Sequence, residues 1–271
     1  VNDFLSAFLS AGVYYKTFMW PRACWEKLYE PAIRKAAGLG ALSGKDAEEL
    51  FDTAYAHCDL LVIGSGPAGL MAALTAGRVG ARVILAEEDF VFGGRLNGAA
   101  GGLGPAWVAE VIAELRGLSS VTLMRRTTVT GAYDGGTFGA LERVADHMAA
   151  PPEHCPRDTF WRIAAKRTVL AGGAIERGSA FPWNDRPGVM MAGAVRTYLH
   201  RFAVRPGQDA VVFTNNDDGL RTARDLEDAG AVVRAVVDTR PGVAIHTMGR
   251  AFAGGQVIST SGHLGLTSVC I

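Results

Sequence analysis

The sequence predicts an α/β fold with a parallel sheet, from two strand–helix–strand units and enough apolar residues to bury them. In the first unit, the apolar run Leu60-Leu61-Val62-Ile63 leads through a glycine turn into helix formers from Leu70 to Arg78. A second run follows, Ala81-Arg82-Val83-Ile84-Leu85. Two strands joined by a crossover helix within about 30 residues are parallel and buried on both faces, with a right-handed connection. The second unit repeats the plan, with the strand Ala210-Val211-Val212-Phe213, a helix from Gly219 to Ala229 and a strand from Val232 to Val237. About 150 residues separate them, so they read as tandem domains rather than a short-period repeat. With 49% apolar residues among 271, the chain has material for one large or two ordinary domains.

Residues 1 to about 50 are rich in aromatics and turn formers, including Tyr14, Tyr15, Phe18, Trp20, Pro21, Trp25, Tyr29 and Pro31. Such groups without regular periodicity are expected to cover a neighbouring domain or subunit. A short helix is expected over Pro31–Ala37, with Gly38 and Gly40 where it stops. After the first unit come Gly93 and Gly94 and a glycine-rich loop through Gly104. A helix from Trp107 to Arg116, a strand from Val121 to Thr130 and a hairpin ending at Thr168-Val169-Leu170 follow. The expected division is a connecting segment 1–55, a first α/β domain 56–205 and a second, incomplete unit 206–271. Opening on Val1 and stopping at Val269-Cys270-Ile271 in strand-like sequence, the chain reads as a piece of a longer one.

The 27 basic residues balance 27 acidic ones, so net charge gives no attraction to nucleic acid or an anionic membrane. Cys24, Cys58, Cys155 and Cys270 form no Cys-x-x-Cys pair, which argues against a zinc site, a redox dithiol or a disulfide framework. No run approaches the roughly 20 apolar residues that span a bilayer. A cytoplasmic protein without a metal site is the expectation.

Gly64-Ser65-Gly66-Pro67-Ala68-Gly69 follows a buried strand and opens a helix, the context that gives a G-x-G-x-x-G match its meaning. Gly64 permits the tight turn, Gly66 lets backbone approach a pyrophosphate, and Gly69 allows close helix-to-strand packing. The helix N-terminus then offers free N–H groups and the positive end of its dipole. Glu87, about 20 residues on, stands where a carboxylate accepts from ribose hydroxyls and repels a 2′-phosphate, favouring NAD or FAD over NADP. Glu88 is the competing acid. In the second unit, Thr214-Asn215-Asn216-Asp217-Asp218-Gly219 lacks the close-approach glycines and carries two carboxylates that would repel phosphate. That unit is not expected to hold a dinucleotide in the usual way.

His57, His147, His154, His200, His246 and His263 show no ligand spacing and are read as structural or exposed. Ser65 lacks a G-x-S-x-G elbow and is not read as a nucleophile. Of Arg125 and Arg126, strand alternation allows at most one to face a cofactor. No catalytic residue is assigned.

Several blocks resemble the alpha subunit of heterotetrameric sarcosine oxidase and related amine dehydrogenases. They are Tyr14-Tyr15-Lys16-Thr17-Phe18-Met19-Trp20-Pro21, Tyr29-Glu30-Pro31, Ala36-Ala37-Gly38-Leu39-Gly40, Gly173-Ala174-Ile175-Glu176-Arg177, Asn184-Asp185-Arg186-Pro187-Gly188-Val189-Met190 and the Thr214–Gly219 loop. The resemblance covers nearly the whole chain. It implies a Rossmann-like domain of the two-dinucleotide-binding flavoprotein type, with a second interleaved, incomplete nucleotide-fold domain. It also implies an αβγδ complex oxidising sarcosine to glycine, with the amine chemistry at FAD in the beta subunit and FMN at the alpha–beta interface. NAD is then the first choice for the glycine loop and FAD the alternative. The family's N-terminal ferredoxin-like and C-terminal aminomethyltransferase-like regions are not in these residues. Carried over by motif, Gly64, Gly66, Pro67, Ala68 and Gly69 contact the pyrophosphate and Glu87 the ribose. Gly94, Arg95 and Leu96 lie along the cofactor, and the Val129 backbone meets the adenine. Ala171-Gly172-Gly173 stands where the family has Ala-Thr-Gly, placing Ala171 and Gly173 beside the cofactor without a hydroxyl. Two rivals are a self-contained NAD- or FAD-dependent oxidoreductase and a non-catalytic nucleotide-binding scaffold subunit.

Overall fold

The computed structural model describes residues 20–38, 44, 49–99, 104–262 and 265–271. The Tyr14–Met19 part of the first block, Leu39, Gly40 and His263 lie outside the described residues. The chain forms two compact units, Asp46–Ile175 and Val1–Lys45 with Glu176–Ile271.

Ahead of the first of these, turns over Arg22–Cys24 and Trp25–Tyr29 run into α1, Glu30–Ala36, with Pro31 in its first turn. The unit Asp46–Ile175 then contains β1 (Phe51–Ile63), α2 (Pro67–Arg78), β2 (Val83–Glu87), α3 (Pro105–Gly117) and β3 (Val121–Arg125). It is completed by β4 (Thr127–Tyr133), β5 (Thr137–Arg143) and β6 (Asp158–Leu170). The six strands make one sheet in the order β3-β2-β1-β6-β5-β4. The β3, β2, β1 and β6 members are parallel, while β5 and β4 are added antiparallel.

Burial on both faces follows from the pleat. Val62, Val83 and Leu85 point into a core with Leu70, Leu74, Val108, Val111 and Leu115 of α2 and α3. Their neighbours Leu61 and Ile84 point the other way, into a core with Cys58, Met124, Ala140 and Ile163. The expected parallel, doubly buried strand pair is therefore present.

Two sequence expectations are redrawn. β1 begins at Phe51 rather than near Asp59, because Phe51–Cys58 pair in register with Asp158–Ala165 of β6. The unit accordingly starts before residue 56 and ends near Ile175 instead of 205. The strand expected from Val121 to Thr130 is two strands, broken at Arg126, whose φ is +56°. Arg125 and Arg126 therefore do not alternate as strand neighbours do. Arg126 donates its N–H to the Asp89 carbonyl at 2.9 Å and lays its guanidinium 5.3 Å from the Phe90 ring centre.

The other unit holds α4 (Ala192–Phe202), β7 (Asp209–Thr214), α5 (Asp217–Asp228), β8 (Val232–Asp238) and the short strands β9 (Arg250–Ala253), β10 (Ser259–Ser261) and β11 (Ser268–Cys270). β7, β8 and β9 form a parallel sheet. Val195 and Leu199 of α4 pack on the core of Val212, Ala223, Leu226, Val233 and Val236, which is why α4 belongs here. Among the described residues no helix is long and apolar enough to cross a membrane, and no cluster of metal-ligating side chains occurs. All four cysteines are free.

Candidate dinucleotide site

The candidate site stands at the C-terminal edge of β1, β2 and β6, where an open parallel sheet offers a crevice. β1 is held on both sides there, by β2 and by β6, so the turn that follows starts from a fixed point. Gly64 has φ +96° and donates its N–H to the Ala86 carbonyl at 2.8 Å. A Cβ at Gly64 would lie 2.5 Å from the Ala171 carbonyl oxygen, so both conformation and space require glycine. Gly69 answers a different need, since a Cβ there would come within 1.9 Å of the Gly64 carbonyl oxygen. Its absence lets α2 pack tightly against the turn.

Gly66 has no such internal reason. Its φ of −62° suits any residue, and a Cβ there meets no atom of the described residues within 4 Å. The missing side chain leaves open space directly at the N-cap of α2. Among the described residues no side chain caps this helix, Pro67 at N1 has no N–H, and the first helical bond is Leu70 N–H to the Gly66 carbonyl at 2.9 Å. The Ala68 and Gly69 N–H groups belong to the first turn, which has no acceptor within its own helix. From the far side Gly94, at φ +52°, closes on the loop so nearly that a Cβ would stand 3.1 Å from the Gly66 Cα.

Glu87 lies at the end of β2 and is 7% exposed. Its carboxylate is already engaged by the chain. Oε2 accepts from the Ser65 N–H at 2.8 Å and the Ser65 hydroxyl at 2.5 Å, and Oε1 accepts from the Asp89 N–H at 3.0 Å. Glu88 is exposed, and its carbonyl accepts from Arg143 Nη2 at 2.9 Å, so Glu87 alone of the two acids joins the loop.

The structure thus gathers Gly64, Gly66, Pro67, Ala68, Gly69, Glu87, Gly94 and Ala171, the last through its N–H to the Ile63 carbonyl at 2.8 Å. It does not gather the others so directly. Arg95 is exposed, and Leu96 packs against the α2–α3 core. Val129 packs in the opposite core beside the β4 bulge, and Gly173 is exposed at φ +72°. Ser65 is the member that reading by motif passed over. It is fully buried and bonded to both Glu87 and Gly93. A small hydroxyl residue between two glycines and facing a strand-end acid was the signal available.

A strand, a glycine turn, an open helix N-terminus and a strand-end carboxylate define a Rossmann-type dinucleotide-binding fold of the flavoprotein class. Residues 59–149 match the FAD binding domain family. Over 93% of its length the chain is 51% identical to sarcosine oxidase subunit alpha of Rhizobium meliloti (strain 1021), of which it covers 26%. It is 42% identical to the same subunit of Corynebacterium sp. (strain P-1), over 83% of this chain and 24% of that protein. The L-proline dehydrogenase of P. horikoshii shares the fold at a TM-score of 0.59 and 24% identity, over 84% of this chain and 41% of that one. The chain is homologous to sarcosine oxidase alpha subunits, and it spans about a quarter of the length of these curated relatives. The sequence reading put NAD ahead of FAD, whereas the family match names FAD.

Proposed function

We propose that the chain is the nucleotide-binding part of the alpha subunit of a sarcosine-oxidase-like complex that oxidises a secondary amine, converting sarcosine to glycine. The observation that carries the binding role is Gly66, a glycine that neither conformation nor internal packing requires, beside the open first turn of α2. That arrangement fits a pyrophosphate, whose oxygens accept from the N–H groups of the turn and are favoured by the helix dipole. Glu87 serves the ribose, and the Gly94, Arg95 and Leu96 segment lies along the dinucleotide. Val129, Ala171 and Gly173 complete the assignment.

FAD stands first among the nucleotides because the matched family is named for it, with NAD as the alternative. A bound flavin supplies the capacity to accept two electrons. This chain's part is to fix the adenine half, keep phosphate charge at a helix N-terminus and exclude a 2′-phosphate through Glu87. A beta subunit carrying the amine site, an FMN at the interface with it, and gamma and delta subunits are proposed from the family relationship. The relatives are themselves named as subunits.

Denaturing mass spectrometry of the ligand released from the purified protein tests the reading. One dinucleotide per chain is expected, and its mass decides between FAD and NAD. Gly66→Asp places a carboxylate where phosphate would lie and is expected to weaken ADP binding about 100-fold by calorimetry, the scale of a few kcal/mol of charge repulsion. Undiminished binding would refute the site.

A further inference from the structure

Ser65 joins three parts of the loop through one small side chain. A hydroxyl has one hydrogen and two lone pairs. Here the hydrogen goes to Glu87 Oε2 at 2.5 Å, and a lone pair accepts the Gly93 N–H at 3.0 Å. The Gly93 N–H also reaches the Ser65 carbonyl at 3.1 Å. Ser65 therefore ties the glycine loop to the strand-end acid on one side and to the Gly93–Gly94 turn on the other. It is fully buried, so it touches no ligand itself.

The consequence lies in Glu87. A carboxylate offers about four acceptor positions. Three are taken by Ser65 N–H, Ser65 hydroxyl and Asp89 N–H, with both Ser65 bonds on Oε2. Among the described residues one position remains, on Oε1. We propose that Ser65 is a positioning residue of the nucleotide site. Its hydroxyl holds Oε2 so that the carboxylate cannot turn, and Oε1 keeps its one open position for a ribose hydroxyl. This rests on the dinucleotide reading above and adds to it the group that makes ribose recognition selective.

The test compares ADP with 2′,3′-dideoxy-ADP by calorimetry on the full chain. A hydrogen bond to a charged acceptor corresponds to a roughly tenfold or greater preference for ADP in the unaltered protein. Ser65→Ala is expected to bring that ratio close to one. A loss of affinity that is equal for both nucleotides, or an unchanged ratio, would show that Ser65 serves only the loop's stability and would overturn the proposal. If Ser65→Ala does not fold, Ser65→Cys keeps the bulk with a weak donor, and the same fall in the ratio is expected. Failure of the underlying reading looks different. An unaltered protein that binds no ADP, or a Gly66→Asp variant that binds it undiminished, removes the site and this role together. Loss of binding in Gly66→Asp with the Ser65→Ala ratio preserved removes the role alone.

Discussion

In the first strand–helix–strand unit α2 starts behind Gly66, which has no side chain to offer. In the second, α5 starts behind Asn216, whose Oδ1 accepts from the Asp218 and Gly219 N–H groups at 3.0 and 3.4 Å. The strand-end acids differ in the same direction. Glu87 is held by N–H and hydroxyl groups and keeps an acceptor position, whereas the fully buried Asp238 is clasped by Arg240. Oδ1 accepts from the Arg240 N–H and Nε, and Oδ2 accepts from Nη2 at 2.8 Å. Nη2 also meets Asp217 at 2.8 Å. Where the first unit leaves donors open, the second satisfies its own and adds carboxylates. One backbone plan thus yields an open or a closed helix start, depending on whether the N-cap residue carries a side chain.

The third loop glycine is what the two units keep in common. A Cβ at Gly69 would meet the Gly64 carbonyl oxygen at 1.9 Å, and one at Gly219 would meet Thr214 Oγ1 and Cβ at 2.2 and 2.3 Å. Neither obstacle can swing away. Gly69→Ala and Gly219→Ala are each expected to cost about 3 kcal/mol in urea denaturation, and only Gly69→Ala should also weaken ADP binding. A neutral Gly219→Ala would mean that the second loop does not rely on the same close approach.

What the sequence made legible follows this shared logic. Leu61 and Val62, Val83 to Leu85 and the helices after them announce themselves because buried strands and amphipathic helices leave periodic patterns. The long start of β1 does not, because Phe51 to Cys58 mix exposed and buried positions and their ladder partner lies more than 100 residues on. The break at Arg126 was hidden in a run with strand character. α4 was missed because no residue in it is buried and only Val195 and Leu199 of it pack on the core, too short a stripe to mark a helix. In the site, the glycines were readable one by one, whereas the bonds of Ser65 to Glu87 and of Arg240 to Asp238 depend on how separate stretches meet.

The clasp gives the next contrast. The Arg240 guanidinium holds the Asp238 carboxyl below its usual range. Asp238→Asn should destabilise the second unit by about 2 kcal/mol at neutral pH, the scale of a hydrogen bond to a charged group. Because the folded-state pKa is depressed, this stabilisation is fully present above the ordinary carboxylate pKa and is lost as pH falls from there through the depressed folded-state pKa. The gap between variant and parent in urea midpoint should therefore close on acidification. A gap that stays constant with pH would mean that shape rather than charge holds the clasp.

Alkaline pH should instead weaken the first unit. Burial pushes the Cys58 thiol up to about 11 from 9.0, with Asp59 contributing and the Ile84 backbone and Arg82 opposing. The unfolded chain ionises first, so stability is full below pH 9 and falls by about 2 kcal/mol as pH approaches 11. Cys58→Ala should remove that fall while costing some packing. Equal alkaline loss in the parent and in Cys58→Ala would assign the effect to another group.

The smallest change addresses the comparison most directly. Asn216→Ala removes the cap of α5 and should cost about 1 kcal/mol, whereas Asn216→Gly, which gives the second loop the first loop's bare N-cap, should cost only a few tenths. Removing the cap frees the Asp218 and Gly219 N–H groups, yet Asp217 and Asp218 remain beside them, and Arg240 is already committed to Asp217 and Asp238. In a Gly66→Asp background, where the first site is blocked, Asn216→Gly is therefore expected to show no ADP binding by calorimetry. Binding gained there would mean that the cap alone had closed the second loop, and that its carboxylates repel phosphate less than their position implies.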